Sequence, residues 1–287
     1  MFSNFVTDKT DYMKTKNLVL PVAAAMTALT SCGPRNEAPK VLVLYYSQTA
    51  TTEAVAREIQ QKLGADIEKF DVEEPYDGTF QETVTRGLSE KSAEKLPKIK
   101  PLKSDLDSYD IIFLGYPIWF GTFCNPVESL LEQVDLSGKT IVPFCTFGSG
   151  GLVESTAALK AKLPDSKILP GYGVRTSRLE SMPVEVDWFL KSNGFIDGDY
   201  AQLEEFGEEH PASAEEAAVF DAAIAGYDRI HATASTVSSR PVPGGTEYLF
   251  TAEDMHDNPV NGTVYVPIKV YVLALDGKAP EFTLVVR

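Results

Sequence analysis

Hydroxyl side chains are concentrated where an apolar run of the chain gives way to a helical pattern. The run Val41–Tyr46 leads into segment 47–52, in which four of six residues are serine or threonine. Such hydroxyls, together with the backbone N–H groups of a helix start, can bind a phosphate group. Residues 41–56 contain no lysine or arginine, so the donors there are neutral. A threonine-rich helix cap without a ligand is the alternative. The candidate phosphate-binding residues are Ser47, Gln48, Thr49, Ala50, Thr51 and Thr52.

Two adjacent aromatic residues, Trp119 and Phe120, follow a second apolar run, Asp110–Tyr116. Soluble proteins rarely leave such residues uncovered on a loop, and each ring can bury about 150–250 Å² against a planar ligand. Packing of both rings back onto the core is the alternative, and the sequence does not decide between the two. The candidate ligand-binding residues of this segment are Pro117, Ile118, Trp119, Phe120 and Gly121.

Glycines are frequent directly after a third apolar run, Thr140–Phe147. A glycine-rich segment lets backbone N–H groups approach the edge of a ligand closely. An ordinary turn between a strand and a helix is the alternative, since the pattern lacks the third glycine of a dinucleotide-binding fingerprint. The candidate residues are Thr146, Phe147, Gly148, Gly150 and Gly151.

The elements that must position these segments alternate between strands and helices. Five strands with intervening helices imply a parallel sheet that is covered on both faces. Ligands bind such sheets at the carboxyl ends of the strands, which is where all three candidate segments lie. The predicted strands are Val41–Tyr46, Ala65–Phe70, Asp110–Tyr116, Thr140–Phe147 and Lys167–Tyr172, and the predicted helices are Thr52–Leu63, Gln81–Lys95, Asn125–Gln133, Val153–Leu163 and Pro183–Ser192.

Residues 40–195 resemble the flavodoxin family in these three motifs. Segment 46–52 is similar to the phosphate loop of that family, and segments 115–122 and 143–150 are similar to its two isoalloxazine loops. The resemblance implies a doubly wound, five-stranded parallel sheet of order 2-1-3-4-5. It also implies tight, non-covalent binding of FMN and one-electron transfer. By position, Ser47–Thr52 would bind the phosphate, Pro117–Gly121 would flank the ring, and Thr146–Gly151 would close its other side.

One position departs from the family pattern. The family usually has glycine where this chain has Ala50. If the loop requires a positive φ at that residue, alanine strains the loop and weakens FMN binding.

The N-terminal segment has the features of an export signal. A basic stretch at Met13–Lys16 precedes the apolar run Leu18–Leu29, as in a secretory signal peptide. The run is shorter than the roughly 20 residues of a membrane-spanning helix. Its ending, Leu29-Thr30-Ser31-Cys32, resembles the lipobox of bacterial lipoproteins, which implies lipidation of Cys32.

Residues 1–39 are therefore predicted to be a signal peptide and tether. The mature protein is predicted to be exported and membrane-anchored, either periplasmic or on the cell surface. A cleaved signal with an incidental cysteine is the alternative.

The pattern changes after residue 195, and residues 196–287 are predicted to be a small α+β domain of unknown role. A helix at Ser213–Tyr227 precedes four strand-like segments, an order similar in architecture to cystatin-like folds. Asp276-Gly277 is a hairpin turn signal. The predicted strands of this antiparallel meander are His231–Ser238, Thr246–Thr251, Thr263–Leu275 and Glu281–Arg287.

Composition limits the classes of partner. The 287-residue chain has a formal net charge of −15, which repels nucleic acid and anionic lipid and suits a basic redox partner. Solubility alone is the alternative explanation.

The three histidines show no metal-ligand spacing. Cys145 lies in an apolar run and is expected in the core, where Cys124 could pair with it.

Three functions are compatible with this sequence. The first is an exported FMN-binding electron carrier. The second is an FMN-dependent NAD(P)H reductase of quinones or nitro compounds, which would need a substrate site, perhaps from residues 71–105. The third is a non-enzymatic binding lipoprotein that has lost the flavin, which Ala50 permits.

Overall fold

Two sheets form the protein, one mostly parallel and one antiparallel. The structure is a computed structural model that describes residues 38–200, 204–258 and 262–286. Cys32 and the predicted export signal lie outside the described residues. Among the described residues, no helix combines the length and the apolar composition that crossing a bilayer requires.

The first sheet follows the predicted alternation. Its spatial order is β2-β1-β3-β5-β6, and β7 extends the last strand along β5, so the predicted order 2-1-3-4-5 is confirmed. Its strands are β1 (Val41–Tyr45), β2 (Asp66–Lys69), β3 (Ile111–Trp119), β4 (Thr122–Phe123), β5 (Thr140–Phe147), β6 (Lys167–Ile168) and β7 (Tyr172–Arg175). Its helices are α1 (Thr51–Leu63), α2 (Phe80–Ser92), α3 (Asn125–Gln133), α4 (Leu152–Lys162) and α5 (Met182–Ser192).

Both faces of this sheet are covered, which explains why its central strands are continuous apolar runs. In β1, Leu42 and Leu44 belong to the core on one face. Val43 and Tyr45 belong to the core on the other face, against α1 and α5. Because β1, β3 and β5 pair in parallel, their carboxyl ends meet at one rim of the sheet.

Two strands of the first sheet differ from their predicted bounds by more than one residue. The third strand, predicted to end at Tyr116, continues to Trp119 because the chain turns back through Phe120-Gly121 and pairs with β4. Both turn residues have a positive φ, +53° and +80°, as a tight two-residue hairpin turn requires. The predicted fifth strand, Lys167–Tyr172, is divided into β6 and β7 at Pro170, which has no N–H group to donate to a strand ladder.

The second sheet is an antiparallel meander with one helix, as predicted. Its spatial order is β12-β11-β10-β9-β8, and its core forms around Phe220, Phe250 and Phe282. The two-residue edge strand β8 lies in an acidic stretch where no strand was predicted. The elements are β8 (His210–Pro211), α6 (Ala214–Ile224), β9 (Ala232–Val242), β10 (Gly245–Asn258), β11 (Gly262–Leu275) and β12 (Glu281–Val286).

Cys124 and Cys145 are both buried and both carry free thiols, so they do not form the disulfide that the sequence leaves open. Cys145 lies in the core, as predicted. Burial raises the pKa of the Cys124 thiol to about 12, and it also raises the pKa of the Cys145 thiol. The two side chains are therefore neutral core residues.

Candidate functional site

The predicted phosphate loop connects the end of β1 to the start of α1. Ala50 is the N-cap residue of α1, and its backbone is left-handed, with φ +63° and ψ −2°. The side chain of Ala50 makes no capping hydrogen bond to the helix. The positive end of the α1 dipole at this loop favours an anion. Alanine was predicted to strain this loop if its φ is positive, and the φ of Ala50 is positive.

Two of the four hydroxyls in this loop serve its internal structure. Thr52 is fully buried, and its Oγ1 shares a hydrogen bond of 2.8 Å with Oγ1 of Thr146 at the end of β5. Ser47 is also buried, and its Oγ accepts a hydrogen bond of 3.3 Å from the Glu53 N–H. Thr49 and Thr51 lie nearer to solvent, with their Oγ1 atoms 3.2 Å apart. These two hydroxyls are therefore the best placed to meet a phosphate.

Gln48 connects the loop to helix α2. Its Nε2 donates to Oγ1 of Thr83 at 2.8 Å and to the carbonyl oxygen of Tyr76 at 3.0 Å. The carboxylate of Glu90 accepts from the Tyr76 hydroxyl and from Nδ2 of Asn125 at the start of α3. Helix α2 is thus held against the rim by buried and half-buried polar contacts.

The adjacent aromatic residues have different environments. Trp119 folds back onto the core and meets Tyr46 and Tyr76 edge-to-face, with ring centroids 6.2 Å and 4.9 Å apart. Phe120 is 43% exposed and lies over Gly87 of α2. A positive φ is unusual for a bulky residue, and strained backbones of this kind concentrate at functional sites. Phe120 is therefore the aromatic residue available to a ligand, and Trp119 supports it.

The glycine-rich segment packs directly against the aromatic hairpin. Gly151 has φ +118°, and a Cβ there would lie only 2.6 Å from Cγ2 of Ile118. Gly148, in contrast, has open space where its Cβ would be. Glycine at 151 permits the close approach of the two segments, while Gly148 leaves room at the rim.

The second sheet reaches this rim through β12. The N–H of Leu284 donates to the carbonyl oxygen of Ser149 at 2.6 Å, and Leu284 forms a parallel bridge with Gly150. A Cβ at Gly150 would overlap the carbonyl oxygen of Leu284. Gly150 therefore has a second role that the sequence analysis did not predict, because it allows the second sheet to pair with the rim.

Arg175, at the end of β7, completes this junction. Its Nε donates to the carbonyl oxygen of Gly148 at 2.9 Å, and its Nη1 donates to that of Phe282 at 3.1 Å. The guanidinium also stacks 4.0 Å from the centroid of the Phe282 ring. Burial lowers the pKa of Arg175 below its usual value. One half-buried cation thus connects the glycine-rich segment to the second sheet.

A cavity of about 700 Å³ lies between these elements. It adjoins both predicted ring segments, helix α2 and the second sheet unit, and it includes Gln48 of the phosphate loop. The lining residues that sequence analysis predicted are Gln48, Ile118, Trp119, Phe120, Gly121, Phe147, Gly148, Gly150 and Gly151. Those it missed are Phe80, Thr83, Val84, Leu88, Ser149, Glu154, Tyr227, Arg229 and Leu284.

The arrangement of three loops at one rim of this sheet order corresponds to a known family. The profile of the flavodoxin family matches residues 40–188, a little over half of the chain. The chain belongs to the flavodoxin family.

Solved structures similar to this chain match about half of its length. A Bacteroides eggerthii protein assigned as a flavoprotein is 29% identical, with a TM-score of 0.45, and the match covers 52% of this chain and 97% of that one. A flavoprotein from Lactobacillus acidophilus, solved in complex with FMN, is 22% identical, with a TM-score of 0.44, over 50% and 99% of the two chains. A flavodoxin from the domain Archaea is 15% identical, with a TM-score of 0.32, over 51% and 93%.

Apart from Ser149, the residues that sequence analysis missed lie outside the strand-to-helix loops. Phe80, Val84 and Leu88 recur at four-residue spacing on α2, a pattern that the prediction of a helix there could have revealed. Tyr227, Arg229 and Leu284 reach the rim only because the two sheets pack together. No local pattern in the sequence encodes that packing.

Proposed function

We propose that this flavodoxin binds FMN at the rim and acts as an electron-transfer protein. The observation that carries the proposal is the convergence of segments 47–52, 117–121 and 146–151 at the carboxyl ends of β1, β3 and β5. In a doubly wound sheet this rim is the ligand-binding edge. Bound FMN supplies the electron chemistry, and the protein orients and tunes it.

The residues at the rim fit the two ends of FMN. The N-terminal end of α1 and the hydroxyls of Thr49 and Thr51 suit a phosphate without a balancing basic residue in segment 47–52. Phe120 and Gly148 leave apolar and open surface for a planar ring. The cavity volume of about 700 Å³ lies within the range of small-molecule sites, roughly 300–1,000 Å³.

A titration with FMN and with riboflavin tests the proposal. The purified protein is expected to show a flavin absorption spectrum, or to acquire one when FMN is added to flavin-free protein. Riboflavin, which lacks the phosphate, is expected to bind more weakly because it cannot use the start of α1. A colourless protein that quenches no FMN fluorescence would contradict the proposal and favour a binding lipoprotein without a flavin.

The proposal includes export and a lipid anchor on Cys32. Support comes from the basic stretch, the apolar run and the cysteine at the end of the lipobox-like segment. Mass spectrometry of the membrane fraction is expected to find a lipidated N-terminal Cys32 in the wild type. The variant Cys32→Ser is expected to keep its leader and to incorporate no lipid. Detection of an unmodified Cys32 in the mature wild-type protein would contradict the anchor.

A basic redox protein is the proposed partner, because the net charge of −15 attracts cationic surfaces. The association rate is expected to fall as salt concentration rises, since salt screens such attraction. Stopped-flow electron transfer to a small basic redox protein, measured over a salt series, tests this. A rate that does not respond to salt would contradict a charge-steered partner.

An FMN-dependent reductase of small molecules is the second candidate, and the cavity favours it. The lining residues Phe80, Thr83, Val84 and Leu88 belong to the segment where a substrate site was expected. Steady-state oxidation of NADH or NADPH with a quinone or nitro compound distinguishes the two functions. A carrier is expected to show no such turnover until a redox protein partner is supplied.

A further inference from the structure

We propose that the end of the first sheet opposite the rim lies against a bilayer that contains anionic lipid, so that the rim faces the aqueous phase. We call this surface the anchor end. It is formed by the starts of β1, β3, β5 and β6 and by the last turn of α4. The inference rests on the proposed lipid anchor at Cys32 and is independent of FMN binding.

The anchor end is one continuous row of strand starts. The carbonyl oxygen of Lys40 accepts a hydrogen bond from β3, that of Asp110 accepts one from β5, and that of Lys139 accepts one from β6, over 2.9–3.2 Å. Lys40 directly precedes β1. The chain that comes from the proposed anchor therefore enters the fold within this row, at the end of the sheet that is farthest from the rim.

The length of chain between the anchor and the fold favours this orientation. Eight residues, 33–40, separate Cys32 from the start of β1, and they span at most about 26–29 Å when fully extended. The eight residues of β5 separate the anchor end from the rim by about 26 Å at roughly 3.3 Å per residue. A rim placed on the bilayer would require a fully stretched tether, which costs conformational entropy. An anchor end placed there requires no stretching.

The second sheet unit lies on the rim side and is strongly acidic. It is joined to the first unit through Leu284 and Ser149 and through Arg175 and Phe282, all at or beside the rim. Residues 204–286 contain 14 acidic and four basic residues, an excess of ten acidic residues in a chain of net charge −15. Anionic lipid repels such a unit. The charge distribution therefore also turns the rim away from the bilayer.

The anchor end, in contrast, carries a cluster of lysines that we call the basic corner, namely Lys139, Lys160, Lys162 and Lys167. Lys139 and Lys167 are at neighbouring strand starts. Lys160 and Lys162 are in the last turn of α4, where basic residues also complement the helix dipole. Lys160, Lys162 and Lys167 are exposed, and lysines near an anionic leaflet are attracted to it.

Acidic residues offset only part of this charge. The loops that lead into β5 and β6 contribute Asp135 and Asp165 to the basic corner, and Glu128 pairs with Lys162 at 2.9 Å. Four lysines against three carboxylates leave a small positive excess, whereas the opposite side of the molecule is strongly negative. Lipid is the occupant that fits this surface, because the proposed anchor holds the bilayer beside it and the charges are complementary.

The orientation determines how a redox partner reaches the rim. The rim and the acidic second unit face water, so a partner approaches the flavin from the aqueous phase. A water-soluble protein meets this condition, and a compound dissolved in the bilayer does not. The inference thus restricts the proposed basic partner to one that leaves or never enters the membrane.

Lysine acetylation of the lipidated wild-type protein tests the inference. The protein is added to preformed vesicles of phosphatidylglycerol or kept in detergent, treated with a water-soluble acetylating reagent, and analysed by peptide mass spectrometry. Lys160 and Lys167 are expected to react about fivefold more slowly or less on vesicles, the factor that corresponds to the attraction of one lysine to an anionic surface. Lys269 and Lys278, which are exposed on the second sheet unit, are expected to react equally in both.

Two charge reversals provide the variant and its matched control. Lys160→Glu is expected to restore most of the detergent rate at Lys167, because it places a carboxylate against the lipid. Lys278→Glu makes the same change of charge on the second sheet unit. It is expected to leave Lys167 as protected as in the wild type.

The outcomes separate this inference from the proposals on which it rests. If mass spectrometry finds no lipid on Cys32, the anchor and this orientation both fall, while FMN binding is unaffected. With lipid present, equal reaction of Lys160 and Lys167 on vesicles and in detergent would overturn the orientation alone, as would protection of Lys269 and Lys278. Protection that occurs in native membranes but not on protein-free vesicles would also overturn it, since a membrane protein would then cover the anchor end.

Discussion

Two of the three described non-glycine residues with a positive φ lie at the rim. Ala50 and Phe120 both have a positive φ although neither is glycine. A left-handed conformation costs roughly 1–2 kcal/mol for a residue with a Cβ. The first of these residues starts α1 and the second forms the hairpin turn, so both lie where the ligand is proposed to bind.

Replacement of Ala50 by glycine is expected to raise the free energy of unfolding. Relief of the left-handed strain, roughly 1–2 kcal/mol, exceeds the entropic cost of glycine, roughly 0.5–1 kcal/mol. A gain of up to about 1 kcal/mol follows, and FMN affinity is expected to increase with it. Urea denaturation and FMN titration measure the two effects.

Ala54→Gly is the control for this change. Ala54 is exposed within α1 and has ordinary helical geometry, so glycine there is expected to destabilise the protein by about 1 kcal/mol. The prediction for Ala50 is contradicted if both substitutions change stability in the same direction.

Cys124 gives a second prediction at the level of one residue. Burial raises its pKa to about 12, and a thiol is protonated below its pKa, so almost no thiolate exists at about pH 8. In a Cys32→Ser background, iodoacetamide is expected to label neither Cys124 nor Cys145 until denaturant is added. Mass spectrometry of labelled peptides measures this. Rapid labelling of either thiol in the native protein would contradict its burial.

At the level of elements, the junction around Arg175 connects the two sheets. Three contacts converge on this side chain, to Gly148, to the Phe282 carbonyl and to the Phe282 ring. Hydrogen bonds to a charged group contribute more than neutral ones, about 1.5–3 kcal/mol each before other costs. The junction therefore positions both the glycine-rich segment and the wall formed by β12.

Arg175→Gln is expected to lower the free energy of unfolding by about 1–3 kcal/mol and to weaken FMN binding. The reason is that the carbonyl of Gly148 loses its donor and the ring segment loses its orientation. The visible circular dichroism of bound FMN is expected to change, because it reports how the ring is held.

Arg240→Gln provides a matched control for this junction. Arg240 pairs with Glu247 and stacks 4.4 Å from the Phe206 ring, but it makes no contact with the rim. The control is expected to lose stability without changing the flavin signal. If the Arg175→Gln variant keeps the FMN affinity and the flavin spectrum of the wild type, Arg175 does not position the glycine-rich segment.

The strands of the first sheet could be predicted from sequence because they are continuous apolar runs followed by recognisable turn residues, whereas their spatial order followed from the resemblance to the flavodoxin family. The hairpin of β3 and β4 could not, since Phe120 adopts a backbone that its residue type disfavours. Likewise, the break between β6 and β7 at Pro170 differs from the single strand predicted over Lys167–Tyr172. Local pattern predicts an element well only where residue preference and final conformation agree.

The candidate site divides in the same way. Residues 47–52, 117–121 and 146–151 are each a short continuous segment at the end of a strand, and the structure brings them to one rim as expected. Leu284 and Tyr227 enter the site from far along the chain, and the approach of Leu284 depends on Gly150 having no Cβ. Sequence pattern alone does not show which glycine serves a turn and which serves a close contact between sheets.

At the level of the whole molecule, the net charge of −15 is expected to affect the flavin. Reduction adds negative charge to the ring, which the acidic surroundings disfavour. The midpoint potential is therefore expected to lie below that of free FMN and to rise as salt screens the field. A spectroelectrochemical titration at several ionic strengths measures both effects, and a potential above that of free FMN would contradict the prediction.

The bond between Leu284 and Ser149 also determines when the protein can be completed. Chains are made from the N-terminus, and units fold as they emerge from the ribosome. The first sheet can assemble early, but its glycine-rich segment waits for β12, which is synthesised after every strand of that sheet. A nascent chain halted before β12 would hold a folded parallel sheet whose rim is still unfinished.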